Sequence, residues 1–184
     1  MRIARPNRAG MDEKLTGTPG GEEALKFLAD TYRTRLVRAG RTTEHPIAVA
    51  RLLAADEQQP QLVIIGLLHD VLEDTGVTSD ELRKAFGGEV ARLVVALTQD
   101  DSISDYTKRK AELRGRILDA GPEASTVSLA DKLAKLEGVD SRPRARKLDH
   151  YEKTLDEVER RYGPSRLSLL LRGQLDRWSG GRSD

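Results

Sequence analysis

Apolar residues recur at three- and four-residue spacing along most of the chain, and that period predicts helix after helix. Over residues 22–37 the stripe is Leu25, Leu28, Ala29, Tyr32 and Leu36, with Gly40 following as a stop. His45-Pro46 opens a second helix, whose apolar face is Ile47, Ala50, Leu53 and Ala54. Pro46 stands at or near its first position, where the missing N–H costs nothing. A third helix runs from Pro60 to about Asp74. Its first half, residues 62–68, is apolar all round, which predicts burial on every side. A buried strand is the competing reading, because Val and Ile are frequent; the length of the segment and its Pro start favour helix. Thr75-Gly76 breaks it. Thr78 or Ser79 caps a short helix over 80–86, with acids in its first turn, and Gly87-Gly88 ends it. Further helices are predicted over 89–98, 106–119, 122–139, 143–162 and 164–178, the one over 106–119 packing through Ala111, Leu113, Ile117 and Leu118. The fold class is all-α, one compact domain of eight or nine helices over residues 21–179. Residues 1–20, rich in Gly, Pro, Arg and Thr, read as a flexible tail, and 180–184 as a loose end. Met11 is an alternative start.

Composition narrows the chemistry. The 184 residues carry 31 basic and 30 acidic side chains, for a net charge of +1. This balance argues against a protein whose main work is coating nucleic acid. There is no cysteine, which excludes disulfides, thiolate nucleophiles and Cys-type zinc sites. His, Asp and Glu remain as metal ligands, suited to Mn, Fe, Co, Mg or Zn. No apolar run approaches the roughly 20 residues of a membrane helix, and no signal peptide is evident. The expected setting is cytoplasmic, without membrane or nucleic-acid partners.

Against that background the end of the third helix stands out. Its apolar run stops abruptly at His69-Asp70-Val71-Leu72-Glu73-Asp74. Ionisable groups at the end of a buried helix are costly unless they have partners, and a metal ion is an efficient partner. His69 and Asp70 can converge on one ion at the helix edge. Glu73 and Asp74, one turn on, can reach a water without binding the ion themselves. His45 begins the preceding helix, and Asp131 lies in the apolar segment Val127-Ser128-Leu129-Ala130-Asp131-Lys132-Leu133. Alone, each has an ordinary reading: a helix-entry His, a surface Asp-Lys pair. Together they supply two imidazole nitrogens and two carboxylates, leaving positions on a six-coordinate ion for water and phosphate oxygens. Two of the chain's three histidines belong to this set. The third, His150, lies in a charged stretch and reads as a surface residue.

From about Arg38 to Val139 the chain resembles the HD superfamily of phosphohydrolases. Within it, the resemblance is to the hydrolase domain of the RelA/SpoT group and the small alarmone hydrolases. The carrying motifs are Glu44-His45-Pro46-Ile47-Ala48-Val49-Ala50, Gly66-Leu67-Leu68-His69-Asp70-Val71-Leu72-Glu73-Asp74-Thr75, Phe86-Gly87 with Val90-Ala91, and Leu129-Ala130-Asp131-Lys132-Leu133. The second is the most specific. The resemblance implies that His45, His69, Asp70 and Asp131 bind one divalent ion, typically manganese. Glu73 and Asp74 would orient and deprotonate the attacking water. The implied reaction removes a phosphate or pyrophosphate from a nucleotide such as (p)ppGpp. Two departures concern the substrate side. Lys135 stands four residues after Asp131, where the alarmone hydrolases have an Asn near the ribose. The segment Val37-Arg38-Ala39-Gly40-Arg41-Thr42-Thr43-Glu44 is shorter than the family's basic stretch and lacks its aromatic residue.

Arg38 and Arg41 are candidates to stack on a base or grip phosphate. Lys108, Arg109, Lys132 and Lys135 are candidate phosphate contacts, and Tyr106 a candidate base contact. Two other functions fit the residues: a phosphatase of another nucleotide, such as a nucleoside 5′-monophosphate, and a non-catalytic nucleotide sensor. Lys135 supports the former; the retained acid Glu73 argues against the latter. The last helices, with Leu167, Leu169, Leu170, Leu171, Leu175 and Trp178, either close the core or form a homo-oligomer face.

Overall fold

The structure, a computed structural model, describes residues 13–138 and 143–179. After a helical stretch at residues 13–16, ten helices follow one another, with no strand among the described residues. They are α1 (Gly21–Thr34), α2 (Glu44–Ala55), α3 (Pro60–Leu68), α4 (Val71–Thr75), α5 (Ser79–Phe86), α6 (Gly88–Leu97), α7 (Tyr106–Ala120), α8 (Pro122–Glu137), α9 (Ala145–Tyr162) and α10 (Arg166–Ser179). The all-α class holds. The count exceeds the expected eight or nine because the third predicted helix is interrupted at His69-Asp70 and becomes α3 and α4. Asp70 has φ −97° and ψ −4°, at the edge of the helical region, and its carbonyl restarts the ladder by accepting from Asp74 N–H at 2.9 Å.

α3 has the role its composition predicts. Leu62, Val63, Ile65, Leu67 and Leu68 are all buried, and the helix packs against α1, α2, α6 and α8. Its closest approach is to α2, at Gly66. A Cβ there would stand 2.6 Å from Leu53 Cδ1 and 3.3 Å from the Ala50 Cα. Leu53 is fully buried and has little room to yield. Gly66→Ala is therefore expected to lower unfolding free energy by about 1–2 kcal/mol, overpacking outweighing alanine's better helix propensity. Denaturant titration checks it, and unchanged stability would contradict this packing. α8 is the second hub: it touches α2, α3, α6, α7, α9 and α10. The start of α2, the break after α3 and the middle of α8 consequently meet at one place. Short elements are fixed locally. Thr78 caps α5 with a full capping box, its hydroxyl accepting from Glu81 N–H while the Glu81 carboxylate accepts from Thr78 N–H.

Three expectations are corrected. Leu36 is not on a helical face: α1 ends at Thr34, and Leu36 is 95% exposed. The chain leaves the helix there because the next segment is drawn toward α4, Arg38 N–H bonding the Asp74 carbonyl at 2.8 Å. His150 is not a surface residue; it is 5% exposed. Part of the expected N-terminal tail is packed: residues 13–16 are helical, and Leu15, 1% exposed, joins the core. Met11 and residues 180–184 lie outside the described residues. Among the described residues no helix is long and apolar enough to cross a membrane.

Candidate metal centre

α2 delivers His45 from its second position, the α3–α4 break delivers His69 and Asp70, and α8 delivers Asp131. One donor atom from each lies within 4.8 Å of all the others. Asp131 Oδ1 faces both imidazoles, 2.9 Å from His45 Nε2 and 3.3 Å from His69 Nε2. Asp70 closes the cluster, with Oδ1 3.3 Å from His69 Nε2 and Oδ2 3.7 Å from His45 Nε2. The helix break accounts for this convergence. In an unbroken helix adjacent side chains diverge by about 100°.

The residues fit a metal ion on an observation independent of their type. His69 Nδ1 donates to the Gly66 carbonyl at 2.8 Å, which fixes the ring and leaves Nε2 for the cluster. That Nε2 is buried and has no hydrogen-bond partner of proper geometry, although two carboxylate oxygens stand 3.3 Å away. A ring nitrogen facing two anionic oxygens calls for positive charge between them, which a proton or a metal ion supplies. Electrostatics agree. Burial pulls the His69 pKa down, but Asp70 and Asp131 outweigh it and push it up to about 10. Burial would raise Asp131, yet Lys135 and the two histidines hold it well below the carboxylate range.

The cluster opens on a cavity of about 300 Å³. Its walls include the acids Asp70, Asp131 and Glu73, the cations Arg41, Lys110, Lys132, Lys135 and Lys147, and the rings of Tyr106 and Tyr151. Each helix contributes residues at helical spacing: Tyr106, Lys110, Leu113 and Ile117 from α7, Ser128, Asp131, Lys132 and Lys135 from α8, Lys147, His150 and Tyr151 from α9.

The two acids after His-Asp part company. Glu73 lines the cavity, and its Oε1 accepts from Gln99 N–H at 2.6 Å. Burial raises its pKa above the ordinary value, against that N–H. Asp74 is 3% exposed and is not among the cavity-lining residues. Its Oδ2 accepts from the Tyr32 hydroxyl at 2.8 Å, and its Oδ1 lies 3.2 Å from Arg41 Nε. It anchors the segment that carries Arg41.

The remaining sequence candidates separate in the same way. Lys132 is buried, donates to Ser128 Oγ at 2.7 Å, and is pushed down to about 8 by its burial and then by Lys135 and Lys110, against Asp131. Tyr106 has Arg146 over its ring at 4.7 Å. Arg38 lies outside the cavity wall and pairs with Asp101 at 3.3 Å. Lys108 is exposed and away from the cavity, and Arg109 donates to the Ile103 carbonyl at 2.6 Å. Sequence reasoning missed Lys110, Lys147, Tyr151 and His150. The signal for Lys110 was present: extending the Leu113–Ile117 stripe backward by three and seven residues reaches Lys110 and Tyr106, not Lys108. His150 is held neutral, pushed down to about 2 by burial and by Lys132, Lys110 and Arg114.

An all-α fold gathering two His and two Asp beside a cation-lined cavity defines a helical protein with a four-donor cluster of the kind that holds a divalent ion. The family described as HD domain matches residues 24–158, and the chain belongs to it. The resemblance read from the His45, His69-Asp70 and Asp131 motifs therefore holds. The chain is 34% identical over 119 residues to the guanosine-3′,5′-bis(diphosphate) 3′-pyrophosphohydrolase MESH1 of Homo sapiens, covering 62% of this chain and 66% of that protein. It is 36% identical over 123 residues to the Danio rerio protein of the same name, with the same coverage. The match thus spans just under two thirds of these relatives' length, at 66%. Among solved structures, a metazoan ortholog of SpoT that hydrolyzes ppGpp superposes with a TM-score of 0.71 at 25% identity, covering 97% of this chain and 99% of that one.

Proposed function

We propose that this protein is a metal-dependent nucleotide phosphohydrolase that removes pyrophosphate from the 3′ position of a guanosine such as ppGpp, with manganese as the ion. The carrying observation is the juxtaposition of a four-donor cluster, within 4.8 Å, and a cavity lined by Arg41, Lys110, Lys132, Lys135 and Lys147. A substrate bearing several phosphates needs that much positive charge, and a cation withdrawn from solvent, as Lys132 is, counts for more than it would in water. The named activity of the MESH1 relatives supports the same reaction.

His45, His69, Asp70 and Asp131 would hold the ion, which when bound supplies Lewis-acid activation of water and offsets charge on phosphorus. Glu73 is the general base: Gln99 N–H fixes Oε1 at 2.6 Å, leaving the other oxygen to take the proton from water. Asp74 acts one step back, holding Arg41 at 3.2 Å. Lys132 and Lys135 bind phosphate oxygens, and Tyr106 with Arg146 offers a flat face for a base at the mouth. Cytoplasmic placement belongs to the same reading.

A second reading, phosphatase action on another nucleotide, is favoured by one observation: Lys135, a cation in place of a neutral Asn, lies within 2.7 Å of Asp131. Incubation with manganese and ppGpp, pppGpp, 5′-mononucleotides or 3′-phosphorylated nucleotides separates the two. Pyrophosphate release from ppGpp is the expected result. Orthophosphate from a 5′-monophosphate, with ppGpp untouched, would establish the second reading. Tight nucleotide binding without turnover of any substrate would make the protein a sensor and overturn both.

A further inference from the structure

Among the described residues, Lys135 is the cavity-lining cation that pairs directly with a residue of the donor cluster. Its Nζ lies 2.7 Å from Asp131 Oδ1. That oxygen is not peripheral: it is also the one 2.9 Å from His45 Nε2 and 3.3 Å from His69 Nε2. An ammonium, two imidazoles and a carboxylate oxygen are thus gathered at a single point. The pair is short and charge-assisted, and it joins residues four apart on α8, so no other element has to move to make or break it.

The geometry points to Lys135 as a tethered cation that competes with the metal ion for Asp131 and is drawn off by an anionic ligand, so that metal and phosphate bind cooperatively. This rests on the metal-centre reading above. Three physical facts carry it. A divalent ion bound by Asp131 and an ammonium on the same oxygen repel each other in a partly buried site, where screening is weak. Lys135 has a flexible four-carbon stem, so the ammonium can leave the oxygen while its Cα stays on α8. Lys135 also lines the cavity beside Lys132 and Lys110, where a phosphate would give the displaced ammonium an anionic partner. In the absence of phosphate the protein spends part of its metal-binding energy on displacing Lys135. With phosphate present, that cost is recovered. An Asn at this position, as the family resemblance expects, carries no charge and has no such coupling.

The test is manganese binding by titration calorimetry on the full chain, wild type, Lys135→Asn and Lys135→Arg, each with and without inorganic phosphate, with free manganese corrected for phosphate complexation. Lys135→Asn is expected to bind manganese about 10- to 100-fold more tightly than wild type without phosphate, the range typical of groups that tune a metal site from outside it. Lys135→Arg, which keeps the charge, should stay near wild type. Phosphate should tighten manganese binding by about fivefold or more in wild type, and little in Lys135→Asn. Unchanged or weaker manganese binding by Lys135→Asn overturns the proposal, as does equal phosphate coupling in the two proteins. If Lys135→Asn does not fold, the wild-type coupling decides alone: no tightening by phosphate overturns it. Should none of the proteins bind manganese, the metal-centre reading falls and this inference with it. Binding that ignores residue 135 removes only the inference.

Discussion

Asp70→Ala is expected to abolish manganese binding and lower hydrolysis on the order of a thousandfold or more, about 4 kcal/mol of transition-state stabilisation. Asp70 supplies one of two carboxylates in the cluster and, like Asp131, reaches both histidines, at 3.3 and 3.7 Å. Its removal halves the negative charge that recruits the ion. It also leaves His69, which is buried, facing Asp131 alone. Loss of the ion and loss of the fold are distinguished by melting. Wild type should gain thermal stability with manganese, because a ligand that binds only the folded state stabilises it. A folded Asp70→Ala protein should melt at the same temperature with and without the ion. Asp70→Asn, which keeps the shape, should behave likewise. Full activity in Asp70→Ala would remove the metal-centre argument altogether.

The second large effect is at Glu73. Glu73→Gln is expected to lower kcat by about 10²- to 10⁴-fold, the usual contribution of a general base, while manganese binding is retained, since Glu73 is not a member of the donor cluster. The amide oxygen can still accept from Gln99 N–H, so the fold has no reason to change. The pH profile gives an independent reading. Burial raises the Glu73 pKa above its usual 4.5. The base works only when unprotonated, so the wild-type rate falls as pH falls through that raised value. The acid limb therefore lies above pH 4.5 in wild type and is absent from the residual rate of Glu73→Gln. Asp74→Asn should lose less, and mostly in KM, because Asp74 acts through Arg41 at 3.2 Å rather than from the cavity wall. Equal losses in the two variants would show that the acids share one role.

Much of this was legible in the chain because the fold is helical. Where apolar residues recur with the helical period, the helix and its inward face follow together, as at Leu53, Leu129 and Leu133, all nearly fully buried. α3 declared its central place through the absence of any polar face. The motifs also marked which side chains needed partners, since charged groups at the end of a buried run are too costly to leave alone.

The rest depended on distance between helices. Periodicity says which residues share a face, not what that face meets. Lys108 and Lys110 are both basic and two apart, and only the packing of α7 against α8 puts Lys110 on the cavity. His150 looked solvated because its neighbours in sequence are charged; Arg114, whose guanidinium lies 3.3 Å from its Nδ1, comes from another helix. Glu73 and Asp74 are indistinguishable as letters. The Tyr32 hydroxyl, 42 residues away, claims one, and Gln99 N–H, 26 residues away, claims the other.

The sequence by itself determined the all-α class, the central helix and the candidates His45, His69, Asp70 and Asp131, because helical period and the cost of burying charge are local properties. Tertiary structure alone decided that the third helix breaks at Asp70, that four donors come within 4.8 Å, and that Lys135 rests on Asp131. Those are matters of how close α2, α3 and α8 approach, which side-chain volume at positions such as Gly66 sets and no periodic pattern records.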